Sequence, residues 1–135
     1  MFKQKQSKNA NVGTLIGPKT RINGDVEFTG GLHLDGYING NVKGDSSPDT
    51  FLSVSRHGSI EGSVIATNVI LNGIVKGDID ASGRVELGAN ARVLGNVHYT
   101  IIETAVGAQI NGKLIHRADP GTAIGEPGPK QRPEL

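Results

Sequence analysis

Hydrophobic residues recur along this chain in a phrase of seven positions, a small residue followed by x-(Ile/Val)-x-Gly-x-(Val/Ile/Leu). The phrase occurs six times, first at residues 20–26 and last at residues 108–114. Its glycines are residues 24, 40, 62, 77, 95 and 112, so successive copies lie 16, 22, 15, 18 and 17 residues apart. A recurrence near 17–18 residues is typical of a repeat architecture.

Each repeat has the period of β-strands. Within a copy the apolar residues lie two or four positions apart, which favours strands over helices. Further alternating pairs precede most copies: Leu32/Leu34, Leu52/Val54, Val69/Leu71 and Val85/Leu87. Glycine suits bends and weakens straight strands. A repeat therefore predicts a few short strands separated by glycine-rich corners.

The length of the repeat indicates how these strands are arranged. About 18 residues at roughly 3.3 Å each form a closed path of roughly 60 Å, or three sides of about 20 Å. Such coils stack with parallel strands about 4.8 Å apart, and six make a rod roughly 30 Å long. The sequence thus predicts an all-β, single-domain parallel β-solenoid with triangular coils. Parallel crossovers favour a right-handed coil, but hexapeptide solenoids are an exception, so the pattern leaves the hand open.

Composition divides the chain into a repeat domain and two tails. The β-helix is expected at residues 13–117, with a loop at residues 45–50 in the longest step. Residues 1–12 are polar and basic, and residues 118–135 hold four of the six prolines, so both tails are predicted to be disordered. The chain has no cysteine and a net charge of +1. These values fit a cytoplasmic protein and indicate neither nucleic acid nor an acidic partner.

The sequence carries neither a membrane span nor a secretory signal. No apolar run approaches about 20 residues, and no apolar h-region marks an export signal. The N-terminal segment can still be a weak membrane contact, with an apolar tip and lysines for anionic lipid, at about 1 kcal/mol for each lysine. Its residues are Met1, Phe2, Lys3, Lys5 and Lys8. The alternative is a segment that only increases solubility.

The ends of the predicted rod indicate self-assembly. A solenoid exposes unpaired backbone groups on its first and last coils, and solitary solenoids cover them with caps or charges. The sequence outside residues 13–117 predicts no amphipathic helix or bulky cap. Apolar residues lie near both ends: Ile22, Val26 and Phe28 at one, and Ile110, Leu114 and Ile115 at the other. We expect these ends to stack on other copies and form a filament.

No motif for catalysis, cofactor binding or metal binding emerges from the sequence. The four histidines (33, 57, 98 and 116) show no ligand spacing. Residues 107–113 match the phosphate-binding pattern G-x-x-x-x-G-K, but Leu114 replaces the required Ser or Thr and no strand-to-helix context is present. Residues 30–35 resemble one calcium-binding β-roll repeat, but His33 replaces its third glycine. The sequence therefore predicts a protein that is not an enzyme and has no cofactor, metal or nucleotide.

A short Met-Phe-Lys start, about 100 residues repeating Ile/Val-x-Gly-x-Val, and a proline-containing tail resemble the bactofilin family. The resemblance covers nearly the whole chain. It implies a right-handed β-helix that polymerises through its end coils, without nucleotide, into non-polar filaments. These would be cytoskeletal scaffolds, peripheral at the inner face of the cytoplasmic membrane, that recruit proteins acting on cell shape, the cell wall or polar organisation. Membrane attachment would use Met1, Phe2 and Lys3.

Two other kinds of protein fit part of the repeat pattern. Residues 85–98 can be divided into hexapeptides, as in the trimeric left-handed β-helix acyltransferases, whose three hexapeptides also make an 18-residue coil. Irregular steps, the lack of a long loop with a catalytic histidine and the lack of a helical C-terminal cap argue against this alternative. A second alternative is a passive monomeric adaptor, which the missing caps disfavour.

Overall fold

The computed structural model describes residues 12–117, which form strands joined by turns. Residues 1–11 of the predicted N-terminal tail (1–12), which include the five predicted membrane residues, and the predicted C-terminal tail (118–135) lie outside the described residues, whereas Val12 begins the first strand. In chain order the strands are β1 (Val12–Ile16), β2 (Arg21–Asn23), β3 (Val26–Phe28), β4 (Gly31–Leu34), β5 (Tyr37–Asn39), β6 (Val42–Gly44), β7 (Phe51–Val54), β8 (Ser59–Glu61), β9 (Val64–Leu71), β10 (Ile74–Lys76), β11 (Ile79–Leu87), β12 (Arg92–Leu94), β13 (Val97–Tyr99), β14 (Ile101–Thr104), β15 (Gln109–Asn111) and β16 (Leu114–His116).

All pairings between these strands are parallel and make three faces around one core. The second face is a six-stranded sheet in the order β15-β12-β10-β8-β5-β2. The first face contains β1, β4, β7, β14 and the later halves of β9 and β11. The third contains β3, β6, β13, β16 and the earlier halves of β9 and β11. The fold is therefore a parallel β-solenoid of six coils, as predicted.

The register confirms the irregular repeat read from the sequence. On the second face the inward residues pair in one column: Ile22, Ile38, Ile60, Val75, Val93 and Ile110. The four middle members are at most 1% exposed, whereas the two terminal members are partly buried. Because strand side chains alternate between faces, every second residue enters the core. The core is thus a stack of aliphatic layers that is open at its two ends.

Glycines at the corner between the second and third faces let successive coils approach closely. Gly40 and Gly62 have φ angles of 156° and 153°, a region that side-chain-bearing residues rarely adopt. A Cβ on Gly62 would also overlap the carbonyl oxygen of Gly40 in the preceding coil, and Gly77, Gly95 and Gly112 repeat this arrangement. At Gly40, Gly62, Gly77 and Gly95 glycine is therefore required by packing between coils as well as by the positive φ angle of the bend.

After four of the six repeat glycines, the next residue links neighbouring coils through its side chain. The backbone N–H of Asn41 donates to Asp25 Oδ1 at 2.9 Å, and that of Ser63 donates to Asn41 Oδ1 at 3.0 Å. A second run joins Asn96 to Asp78 at 2.9 Å and Lys113 to Asn96 at 3.0 Å. In the last coil the Lys113 side chain has only hydrogen-bond donors, so it cannot accept a further bond of this kind, and the series of bonds between coils ends there.

The extra residues of the longest step form a loop between β6 and β7, as predicted. The Thr50 hydroxyl donates to Asp45 Oδ1 across the base of the loop, and Thr50 is fully buried. The next coil holds the loop from outside, because Thr67 Oγ1 donates to Ser47 O at 2.8 Å and Asn68 Nδ2 donates to Pro48 O at 3.0 Å. The insertion is therefore accommodated at a corner without breaking the stack.

Candidate polymer interface

The two ends of the solenoid each present one unpaired set of strand edges. Strands β1, β2 and β3 of the first coil pair only with the second coil. Strands β14, β15 and β16 of the last coil pair only with the fifth coil. Within residues 12–117 no helix lies over either end. Unpaired edges of this kind are templates for further pairing.

The C-terminal end is the more exposed apolar surface. Leu114 stands in register with the buried Val97, so it occupies a core position, yet it is 48% exposed because it lies in the last coil that the structure describes. Ile110 and Ile102 occupy core positions above Val93 and Val85 and are partly buried. Val106, in the turn before β15, is 96% exposed. This end can therefore bury aliphatic surface against another molecule.

The N-terminal end is partly closed by its own side chains. Phe28 is only 8% exposed and Ile16 only 7%, although both belong to the first coil. The Phe28 ring lies over Gly44, where an added Cβ would come within 2.9 Å of Phe28 Cζ. Ile22 and Val26 are partly buried and complete the apolar surface of this end. The end therefore combines a smaller apolar surface with unpaired edges.

Five of the six predicted interface residues occupy core positions of the end coils. Ile22, Val26 and Phe28 lie in the first coil, and Ile110 and Leu114 in the last. Ile115 differs, because it pairs with His98 and points to the outer surface of the third face. The contacts themselves stay a prediction. The sequence analysis missed Ile102 and Ile16, although continuing the repeat from Val85 and back from Leu34 would have found them.

The histidines lie on the outer surface, and one belongs to a hydrogen-bonded group. His33 Nδ1 lies 3.2 Å from Ser53 Oγ, and His33 Nε2 lies 3.2 Å from Asp35 Oδ1. These residue types also occur in hydrolase triads, but such sites depend on donors in a water-excluded cavity, and this group is on an exposed sheet surface. Residues 12–117 contain no group of three or more side chains suited to a metal ion. We interpret the group as structural.

This group predicts a pH dependence of stability. A hydrogen bond from Ser55, with His33 and His57 nearby, holds the pKa of Asp35 below its ordinary value of 3.8. The folded state therefore binds this proton more weakly than the unfolded state. The stabilisation is complete above pH 3.8 and is lost as the pH falls through the folded-state pKa. The difference in unfolding free energy between wild type and Asp35→Asn, measured by urea titration, should shrink from pH 7 to pH 3. A constant difference would contradict this assignment.

Comparison with known proteins agrees with this architecture. Residues 14–115 match the family model described as "Bactofilin: Polymer-forming cytoskeletal". Bactofilin BacO of Myxococcus xanthus is 34% identical over 113 residues, covering 84% of this chain and 85% of BacO. Bactofilin BacP of the same organism is 32% identical over 132 residues, covering 96% of this chain. The chain spans about half of BacP, 51% of its length.

A solved structure shows the same fold. The cryo-EM reconstruction of Thermus thermophilus bactofilin double helical filaments aligns with a TM-score of 0.58 and 27% identity. The alignment covers 77% of this chain and 99% of the other. The comparisons therefore favour the bactofilins over the acyltransferase alternative. Together with the six-coil solenoid, they show that this chain belongs to the bactofilin family of polymer-forming cytoskeletal proteins.

Proposed function

We propose that this protein assembles end to end, without nucleotide, into non-polar filaments that act as a cytoskeletal scaffold. The observation that carries the proposal is the pair of ends that no helix of residues 12–117 covers, above all the exposed core residue Leu114. Stacking one end on another removes this leucine and its neighbours from water, which is favourable by about 25 cal/mol per Å² of apolar surface. It also satisfies the unpaired strand edges.

Assembly without nucleotide is supported by the surroundings of the one phosphate-binding pattern. Residues 107–113 form the turn and corners around β15 in the last coil, and they are followed directly by strand β16. A phosphate-binding loop instead places its backbone N–H groups at the start of a helix. In the proposed filament these residues belong to the end surface.

Negative-stain electron microscopy tests assembly directly. Purified protein treated with apyrase to remove nucleotide should form filaments a few nanometres wide, as the roughly 20 Å sides of the coil imply. Added ATP or GTP should not change their length or number. A monomer at all concentrations would contradict the proposal, and a uniform trimer would restore the acyltransferase alternative.

We further propose that the filament is a peripheral protein of the inner face of the cytoplasmic membrane. Its N-terminal segment holds Met1, Phe2, Lys3, Lys5 and Lys8, an apolar tip with three lysines. Three lysines near an anionic surface contribute about 3 kcal/mol for each subunit, and a filament multiplies this through multivalency. Between residues 12 and 117 there is no helix that could cross a bilayer. The faces along the filament remain open for recruiting other proteins.

Deleting residues 2–8 tests this attachment. The deletion should weaken binding to phosphatidylglycerol vesicles about 100-fold for each subunit, as expected for losing three lysines, while filaments persist. Vesicle flotation measures binding, and electron microscopy checks assembly. Replacing the same lysines with arginine is the matched control and should preserve binding. Unchanged flotation of the deletion variant would move the membrane contact elsewhere.

A further inference from the structure

Positive charge is concentrated on one side of the solenoid. We define the basic face as the outer surface of the second face together with the turns that precede its strands. It carries five basic residues, Lys19, Arg21, Arg56, Lys76 and Arg92, against two acidic residues, Asp35 and Glu61, for a net charge of +3. The remainder of residues 12–117 carries four basic and eight acidic residues, for a net charge of −4.

Most cations of the basic face form no ion pair with a carboxylate of residues 12–117. The Arg21 guanidinium lies 4.9 Å from the centre of the Tyr37 ring. Arg92 Nη1 donates to Ala91 O at 2.9 Å and Gly107 O at 3.2 Å. Lys76 lies 3.7 Å from Glu61, and both side chains are about half exposed. The ring and the carbonyl groups thus position two guanidinium groups at the surface without cancelling their charge.

Aliphatic side chains lie among these cations. Ile74 and Leu94, on neighbouring strands β10 and β12, are 37% and 44% exposed. Cations next to short apolar side chains match a bilayer surface, where phosphate groups attract the charges and the interface accepts the aliphatic groups.

We propose that the basic face lies flat against an anionic phospholipid bilayer. This inference rests on the proposed function, in which filaments lie along a membrane. The six parallel strands form a continuous surface along the rod, and the net negative charge of the other faces disfavours their contact with the same lipid. Repetition along a filament multiplies a weak contact from each subunit.

The basic face and the N-terminal segment can bind the same membrane. Strand β1 begins at Val12, at the corner opposite the second face. Eleven residues precede Val12, and a chain of that length spans up to about 36–40 Å. This exceeds the roughly 20 Å side of a coil. The two contacts are therefore compatible, and the basic face orients a filament that the N-terminal segment tethers.

The test uses filaments of the chain lacking residues 2–8, so that the N-terminal contact is absent. Flotation with vesicles of phosphatidylglycerol and phosphatidylcholine is compared with phosphatidylcholine alone, at low and at physiological ionic strength. Lys76→Glu on the basic face is compared with Lys43→Glu on the third face. Leu94→Ser is compared with Ile65→Ser, because these side chains are 44% and 46% exposed. Electron microscopy confirms that every variant still forms filaments.

We expect the shortened chain to float with anionic vesicles at low ionic strength and to release as salt increases. Lys76→Glu should lower the apparent affinity of the shortened chain for anionic vesicles about tenfold or more, and Leu94→Ser should lower it several-fold. The affinities of the two third-face variants should stay within twofold of that of the shortened chain. Equal effects of Lys76→Glu and Lys43→Glu would overturn the proposal. Binding of the shortened chain to phosphatidylcholine vesicles as strong as to anionic vesicles would also overturn it. A change in filament bundling by Lys76→Glu with unchanged flotation would likewise overturn it, and would indicate that the basic face is a contact between filaments.

One comparison separates this inference from the N-terminal attachment. If the full chain floats and the shortened chain does not at any ionic strength, the basic face makes no membrane contact and the N-terminal segment suffices. If the shortened chain floats and loses binding with Lys76→Glu, the basic face binds lipid whether or not the N-terminal segment does. If neither chain floats, both proposals are overturned.

Discussion

Replacing Leu114 with arginine is expected to abolish long filaments and leave soluble short species. Leu114 occupies a core position of the last coil and is 48% exposed. A guanidinium group at this position would be buried without a partner when another end stacks on it, which costs several kcal/mol. Sedimentation velocity and negative-stain electron microscopy measure the loss of assembly.

Ile65→Arg is the matched control for this variant. Ile65 is 46% exposed, but it lies on the outer surface of the third face in a middle coil, with Lys43 and Asp80 as its neighbours in adjacent strands. The same charge introduced there should leave end-to-end assembly intact. Long filaments from Leu114→Arg would exclude the C-terminal end from the polymer contact, and loss of filaments from both variants would indicate a nonspecific effect of charge.

Replacing Gly62 with alanine is expected to lower the free energy of unfolding by about 3 kcal/mol or more. The added Cβ overlaps the carbonyl oxygen of Gly40, and overpacking of this kind costs about 1–3 kcal/mol. The φ angle of 153° adds roughly 1–3 kcal/mol of backbone strain. Because the clash is with backbone, relief requires the coils to separate. Urea unfolding in the Leu114→Arg background measures the effect without a contribution from polymerisation.

Substitutions at two other glycines separate the effect of the clash between coils from that of backbone strain. At Gly24 the φ angle is 131° and nothing lies within 4 Å of an added Cβ, because Gly24 lies in the first of the described coils. Gly24→Ala should therefore show only backbone strain, about 1–3 kcal/mol. A Cβ added at Gly112 would clash with Gly95, but Gly112 lies in the last described coil, which can shift to relieve the clash. Gly112→Ala should therefore lower the free energy of unfolding by less than Gly62→Ala does. Equal effects at Gly24 and Gly62 would show that close packing between coils is not the cause.

Sequence periodicity predicted most of the fold because each coil repeats the same packing problem. An aliphatic residue must enter the core at every second strand position, and the glycines of successive coils must stack closely on one another at one corner. The spacing of these two requirements identifies the column of inward residues from Ile22 to Ile110 in the sequence itself. The continuous strands β9 and β11 were less predictable, because the chain turns the corner at Thr67 and at residues 82–83 without ending the strand.

The end surfaces were predicted less well than the core, for physical reasons. Periodicity indicates which side chains face inward, but it does not indicate how far a large ring reaches, so the burial of Phe28 over Gly44 was not foreseen. Hydrophobicity alone groups Ile115 with Leu114, although adjacent strand residues point to opposite sides. The basic face depends on charges in different coils, 16 to 35 residues apart along the chain from one charged coil to the next, which only the stacking of coils brings together.

The loop between β6 and β7 makes this protein suited to internal labelling. Its base is closed by Thr50 and Asp45, and the next coil grips it through Thr67 and Asn68. Doubling the length of a flexible loop costs only about 0.6 kcal/mol, so a peptide tag between Pro48 and Asp49 should leave the stack of coils intact. Such a tag would project from the corner opposite the second face, away from both ends. Filaments could then be imaged in living cells with neither terminus fused to a reporter.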